Sequence, residues 1–207
     1  DFTSCTVMPI LKDGTPLCFL KEFEHVPHAY PKLWKHHAAQ DQANRLNALA
    51  HARGERWIWR YGGKLSSEWV LAKALQILEQ APEVYARMDR FIEGGDFIVM
   101  RLCGEERRSA CNAGYKAGWS KREGYAPREF LRAVNPAFER FAQDKLSSNI
   151  YPIGARAGFL TEEMARLTGL RAGTAVAVGI VDAHVALPAV GIVSPGKLLM
   201  IMGTSTC

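Results

Sequence analysis

Two rhythms organise the apolar positions of the chain. Short apolar runs at residues 5–11, 174–180 and 197–202 are bounded by glycine, proline or polar residues, the pattern of buried strands. Residues 4–20 read as a hairpin, with Lys12-Asp13-Gly14-Thr15-Pro16 as its turn and residues 17–20 as the returning strand. Elsewhere apolar residues recur three and four apart. One helix is expected to open at Leu33-Trp34-Lys35-His36-His37 and run through Ala43, Leu46 and Ala50 to a stop at Gly54. A second follows a serine cap at Ser66-Ser67 and carries Val70, Leu71, Ala74, Leu75 and Leu78 on one face. Pro82 marks the first turn of a third, and residues 96–103 form a fourth, capped by Asp96 and closed by Gly104. Residues 128–145 suggest two short helices broken at Asn135-Pro136, and Thr161 caps a helix with acids in its first turn that stops at Gly169. Strands interspersed with helices give an α/β class.

Several residues on this framework could carry chemistry. Asp182 follows the run 174–180 and precedes a helix-like segment, which is where open α/β sheets place ligand sites; a plain helix cap is the other reading. Gly203-Thr204-Ser205 joins a permissive glycine to two hydroxyls that could meet phosphate oxygens, or it is an ordinary turn. Trp34 is either core or a ring at a helix entry that stacks on a sugar. Residues 108–119 are small apart from Lys116 and two aromatics, so the backbone can approach a ligand that Lys116 reaches; a solvated lysine is the alternative. Residues 1–6, Ser4 among them, either face a cleft from a strand end or are frayed. His36 and His37 are adjacent and make a poor metal pair.

Composition narrows the classes. The 207 residues are 48% hydrophobic and 23% charged, enough apolar material for a substantial core and too much for a disordered chain. No apolar stretch approaches the roughly twenty residues that span a bilayer, so no membrane partner is expected. Cys5, Cys18, Cys103, Cys111 and Cys207 lack a Cys-x-x-Cys spacing, which fits reduced thiols in the cytoplasm rather than a zinc site. The net charge of +5 is spread along the chain and does not support a nucleic-acid groove; an anionic small molecule is compatible with its sign. Without an initiator methionine, and with Cys207 directly after a strand and turn, the chain is expected to be a piece of a longer protein.

The order of landmarks resembles the FGGY carbohydrate kinases of the actin-like ATPase superfamily, and among them the ribulokinases. The stretches that carry the resemblance are Asp1-Phe-Thr-Ser-Cys-Thr6, Leu33-Trp-Lys-His-His-Ala-Ala39, Gly62-Gly-Lys-Leu-Ser-Ser-Glu-Trp69, Ala113-Gly-Tyr-Lys116, Gly179-Ile-Val-Asp182-Ala-His184 and Met202-Gly-Thr-Ser-Thr-Cys207. The resemblance implies part of a ribonuclease H-like (actin-like ATPase) fold, with residues 1–184 in a sugar-binding domain and 185–207 as a hinge into a nucleotide domain. It implies ATP-dependent phosphorylation of a ketopentose, L-ribulose to L-ribulose 5-phosphate, with Asp182 as general base. Ser4, Trp34 and Lys116 match sugar-pocket positions, and Gly203, Thr204 and Ser205 match a phosphate loop. ATP with Mg2+ is the implied cofactor, and the partners are the sugar, ATP and a second copy in a homodimer. A kinase for a related ketose or polyol, and a non-catalytic sugar-binding module, are the alternatives. The family's first phosphate loop and adenine site are not among these residues, so the segment alone is expected to be inactive.

Overall fold

The computed structural model describes residues 1–202. In chain order its elements are β1 (Val7–Ile10), α1 (Gln40–Ala52), α2 (Val70–Gln80), α3 (Pro82–Arg87), β2 (Arg90–Glu93), α4 (Gly94–Cys103), β3 (Arg108–Ser109), α5 (Ala110–Lys116), α6 (Arg128–Val134), α7 (Phe141–Asp144), β4 (Ile150–Tyr151), β5 (Arg156–Phe159), α8 (Glu162–Thr168), β6 (Ala175–Ala177) and α9 (Asp182–Ala189). Among the described residues the strands form three pairs: β1 antiparallel to β2, β3 parallel to β4, and β5 antiparallel to β6. This is a mixed α/β architecture.

Helix α2 lies at the centre because its apolar stripe is broad. Val70, Leu71, Ala74, Leu75 and Ile77 are all buried, against Ala43, Leu46 and Ala50 of α1 and against Phe130 and Phe138. Each such large side chain contributes about 1.5–3 kcal/mol on burial. Phe138 and Phe141 stack with ring centres 4.7 Å apart, and Trp57 meets Phe130 edge-on at 5.3 Å. A second cluster, Met8, Ile10, Ile92 and Met100, sits between the β1–β2 pair and α4; a third, Val99, Cys103, Ala157 and Val178, joins α4 to the β5–β6 pair.

Four helical expectations match the structure. Pro82 opens α3, the 128–145 region breaks at Asn135-Pro136, Thr161 Oγ1 accepts the Met164 N–H at 3.2 Å to cap α8, and Gly169 ends α8 at φ 74°. Others are corrected. Residues 17–20 do not return as a strand; Leu17–Phe19 is a 3-10 turn, because β1 pairs with β2 while Val7 also exchanges backbone hydrogen bonds with Lys32. The first helix begins at Gln40 rather than at residue 33; residues 33–39 turn instead, with Leu33 O accepting both the His36 N–H and the Lys73 ammonium, and Ala38 O accepting Gln76 Nε2. Ser66 shapes the turn before α2 by accepting the Glu68 N–H, and the capping position itself is Trp69. Asp96 is no cap: it is the third residue of α4, buried, and accepts Ser109 N–H and Asn112 Nδ2, both at 3.0 Å, tying α4 to β3 and α5. The run 174–180 yields only the three-residue β6, which pairs with β5 and lies half open rather than buried on both faces. Residues 197–201 form no strand, and Leu198 is 85% exposed.

Candidate functional site

The site is assembled from the start of the chain, the turn at Leu33–Ala39, the C-terminal end of α5 and the N-terminal end of α9. Phe2 pairs in parallel with Val181: its N–H donates to Ile180 O at 3.1 Å and its carbonyl accepts the Asp182 N–H at 3.2 Å. Asp182 is thereby held beside the segment that leads to Ser4. It opens α9, five residues after β6, so it marks a helix start rather than the end of a long strand. Its carboxyl is exposed and Oδ1 accepts the Ala183 N–H at 2.8 Å.

Lys116 ends α5, whose first turn Ser109 caps by accepting the Cys111 and Asn112 N–H groups. Far from being solvated, Lys116 is 6% exposed, and its Nζ donates to Ser4 O at 3.0 Å. The same ammonium lies 3.6 Å from Glu68 Oε2 and 5.0 Å from the centre of the Tyr115 ring. Glu68 faces His37 through its other oxygen, at 3.5 Å. Of the three donors of the ammonium, Ser4 O takes one, while Glu68 is an ion-pair neighbour beyond hydrogen-bond distance. Ser4 is buried and its hydroxyl donates to Glu93 Oε1 at 3.3 Å.

Trp34 is half-buried in the turn before α1, not in its first turn. Its N–H donates to Thr6 Oγ1 at 3.3 Å, two residues from Ser4. His184, on α9, completes the site. Its Nδ1 lies 2.9 Å from Cys111 Sγ and its ring stands edge-on to Tyr115 with centres 4.6 Å apart, so α9 and α5 meet between Asp182 and Lys116. Ser4 and Lys116 are thus in direct contact, Trp34 joins them through Thr6, and Asp182 reaches them through the Phe2 backbone and the His184–Tyr115 contact. Gly203, Thr204 and Ser205 lie outside the described residues.

Beneath this surface is a buried charged layer that the sequence reading did not anticipate. Lys73 is fully buried, and burial lowers its pKa. Lys32 is held down to about 8 by burial first and by the Lys73 charge second. Glu93 is pushed up to about 8, chiefly by burial and then by the Asp96 carboxylate. Asp96 is itself raised to about 6 by burial. Burial pushes the Cys111 thiol up and the His184 imidazolium down, so both are neutral in the site at neutral pH. Among the described residues no group of three or more His, Cys, Asp or Glu is placed to hold a metal ion. Clefts of about 500 and 400 Å3 lie elsewhere, on either side of Glu123, Tyr125 and Pro127. No helix among the described residues is long and apolar enough to cross a membrane.

No family model matches the chain. Against individual proteins, all 207 residues align with the ribulokinases of Geobacillus thermodenitrificans and Bacillus licheniformis at 54% identity, and with that of Staphylococcus aureus at 37%. The whole chain is homologous to a segment of ribulokinases. It spans 37–38% of the length of these relatives. The ribulokinase-like segment also superposes on the xylulose kinase of Rhodospirillum rubrum over 99% of its residues and 38% of that chain, with a TM-score of 0.74 at 20% identity. A gluconate kinase from Lactobacillus acidophilus matches 87% of the segment and 33% of its own chain, at TM-score 0.63 and 15% identity. At such identities the likeness concerns the fold, which is part of the actin-like ATPase fold of the FGGY sugar kinases.

Proposed function

We propose that this chain supplies the sugar-binding wall and the general base of an ATP-dependent sugar kinase, and that the sugar is L-ribulose, phosphorylated at O5. The observation that carries the reading is the contact of buried Lys116 with Ser4 O at 3.0 Å, beside an Asp182 held in place by pairing of Phe2 with Val181, in a chain 54% identical to ribulokinases. Lys116 donates a further N–H to a sugar oxygen, and the indole of Trp34 forms a flat wall against the polyol face. Asp182 accepts the proton of the attacking hydroxyl, which requires its carboxylate form. That exposed position leaves it open to a bound substrate. Proton transfer to a placed carboxylate contributes roughly 10²–10⁴-fold in rate, and positioning and charge stabilisation supply most of the rest. When bound, ATP with Mg2+ supplies the phosphoryl group; Gly203, Thr204 and Ser205 are the proposed phosphate contacts. In the same reading residues 1–184 form the sugar-binding domain and 185–207 lead into the nucleotide domain. A cytoplasmic homodimer with the sugar and ATP as small-molecule partners completes the proposal.

The test uses the full-length protein and a panel of L-ribulose, D-ribulose, D-xylulose, glycerol and gluconate in a coupled ADP-release assay. The expected result is the highest kcat/KM for L-ribulose, and a loss of 10²–10⁴-fold in kcat for Asp182→Asn with sugar KM changed by no more than a few-fold. Retention of wild-type kcat by that variant would remove Asp182 as the base. A higher kcat/KM for another ketose or a polyol would reassign the substrate, and binding without turnover would favour a non-catalytic sugar-binding module.

A further inference from the structure

Lys73 is an anomaly on α2. It sits within the apolar sequence Leu71-Ala72-Lys73-Ala74-Leu75 and is fully buried in the core. Burying an ammonium costs several kcal/mol, and replacing buried charges by apolar residues of similar volume is often neutral or stabilising, so helix packing alone favours a methionine here. What the ammonium does is bridge two separate stretches of backbone: Nζ donates to Cys5 O at 2.5 Å and to Leu33 O at 2.9 Å. Each carbonyl belongs to the residue next to a proposed sugar contact, Ser4 in one case and Trp34 in the other. One turn along α2, Gln76 continues the same attachment. Its Nε2 donates to Ala38 O at 3.0 Å and its Oε1 lies 2.9 Å from His36 Nε2. The two stretches are also joined by the paired backbone bonds of Val7 and Lys32, at 3.0 and 2.8 Å, and by the Trp34 N–H to Thr6 Oγ1.

We propose that Lys73 and Gln76 are positioning residues that clamp the turn at Leu33–Ala39 against the Ser4–Val7 segment and so fix the distance between Trp34 and Ser4 across the sugar site. The proposal rests on the sugar-binding reading of that site. A compact ammonium with three rotatable donors suits two converging carbonyls, whereas a guanidinium fork is too bulky for a side chain with no exposure. The charges that face Lys73 come from every side: Glu93 from β2, Glu68 from the turn before α2, Lys116 from α5 and Lys32 beside β1. Lys73 and Lys116 therefore hold neighbouring carbonyls, Cys5 O and Ser4 O, from opposite elements.

The experiment measures KM for L-ribulose and for ATP, and hydrogen exchange of the Val7, Lys32 and Trp34 amides, in the full-length protein with Lys73→Met, Gln76→Leu and Glu79→Gln. Glu79 lies on the same helix but binds Arg45 and Gln42 of α1, and serves as the control. The expected outcome is a sugar KM raised at least tenfold in Lys73→Met and about three- to tenfold in Gln76→Leu. ATP KM should stay within twofold, the three amides should exchange at least tenfold faster, and Glu79→Gln should behave as wild type. Sugar KM within twofold of wild type in either folded variant overturns the proposal, as does an equal rise in the KM of sugar and ATP. If Lys73→Met does not fold, Gln76→Leu decides. A wild-type protein that binds no sugar points instead to failure of the sugar-site reading, and the exchange rates then judge the clamp by themselves.

Discussion

Replacing Lys116 by methionine separates what this residue does for the fold from what it does for a ligand. The substitution keeps the length and apolar stem of the side chain and deletes the ammonium that donates to Ser4 O at 3.0 Å and faces Glu68 at 3.6 Å. Both members of the pair are buried, at 6% and 9% side-chain exposure, so Glu68 loses its ion-pair partner on α5 and keeps the more distant Lys73 charge. Breaking a buried pair from one side costs about 3–5 kcal/mol. Glu68 also faces His37 at 3.5 Å and the Lys73 charge, which places the loss at the low end. For a domain of this size each kcal/mol lowers Tm by roughly 2–4 °C, so a drop on the order of 6–12 °C is expected. A hydrogen bond from a charged donor to the sugar is worth about 1.5–3 kcal/mol, which is about a 10- to 150-fold loss in kcat/KM for the sugar. The double variant Lys116→Met with Glu68→Gln also removes the carboxylate charge that faced the Lys116 ammonium and should recover most of the Tm while leaving kcat/KM low. Differential scanning calorimetry and the coupled assay on the full-length protein read the two quantities. Recovery of kcat/KM together with Tm in the double variant would show that Lys116 serves only the fold and would refute its place in the sugar site.

Two further outcomes follow from burial and charge. Glu93, with its folded pKa raised to about 8, binds a proton more tightly in the folded protein than in the unfolded chain, so its stabilising contribution is full below the unfolded carboxylate range and fades as pH rises through about 8. Wild-type Tm should therefore fall between pH 6 and 8.5, and Glu93→Gln, which keeps an acceptor for the Ser4 hydroxyl, should flatten that fall; an unchanged slope would show that Glu93 is ionised across the range. Leu75→Ala empties a fully buried position on α2 and should cost about 2–5 kcal/mol in urea-unfolding experiments, while a cost below 1 kcal/mol would mean that the core around α2 collapses to fill the space.

Local chemistry was readable wherever neighbours in sequence decide the structure. The Thr161 cap, the Gly169 stop, Pro82 at the start of α3 and the break at Asn135-Pro136 all depend on contacts within a few residues. The misreadings share a different cause. The partner of β1 lies some eighty residues away in β2, and residues 33–39, expected to be helical, instead turn and are tied by Leu33 O and Ala38 O to Lys73 and Gln76, some forty residues downstream. Asp96 behaves as a cross-link rather than a cap for the same reason, since Ser109 and Asn112 compete for its carboxylate. At the site, Ser4, Trp34, Lys116 and Asp182 stand out by residue type and by the resemblance; in the structure Lys116 meets Ser4 directly, and Trp34 and Asp182 connect to them through Thr6 and Phe2. Glu68 lies in the Ser66-Ser67-Glu68-Trp69 stretch with no local signal of its role, which comes from its contacts with Lys116 and His37. Lys73 carried one signal in the sequence, a cation inside an apolar helical stripe, and only the fold shows which carbonyls it serves.

The central claim is that Ser4, Trp34, Lys116 and Asp182 converge on one sugar. A crystal structure of the full-length protein with L-ribulose bound tests it most directly. The account predicts a sugar oxygen within hydrogen-bonding distance of Lys116 Nζ, the carbon face against the Trp34 indole, and the O5 hydroxyl on the Asp182 carboxylate. Sugar bound away from these residues, or seated there with O5 turned from Asp182, would contradict it.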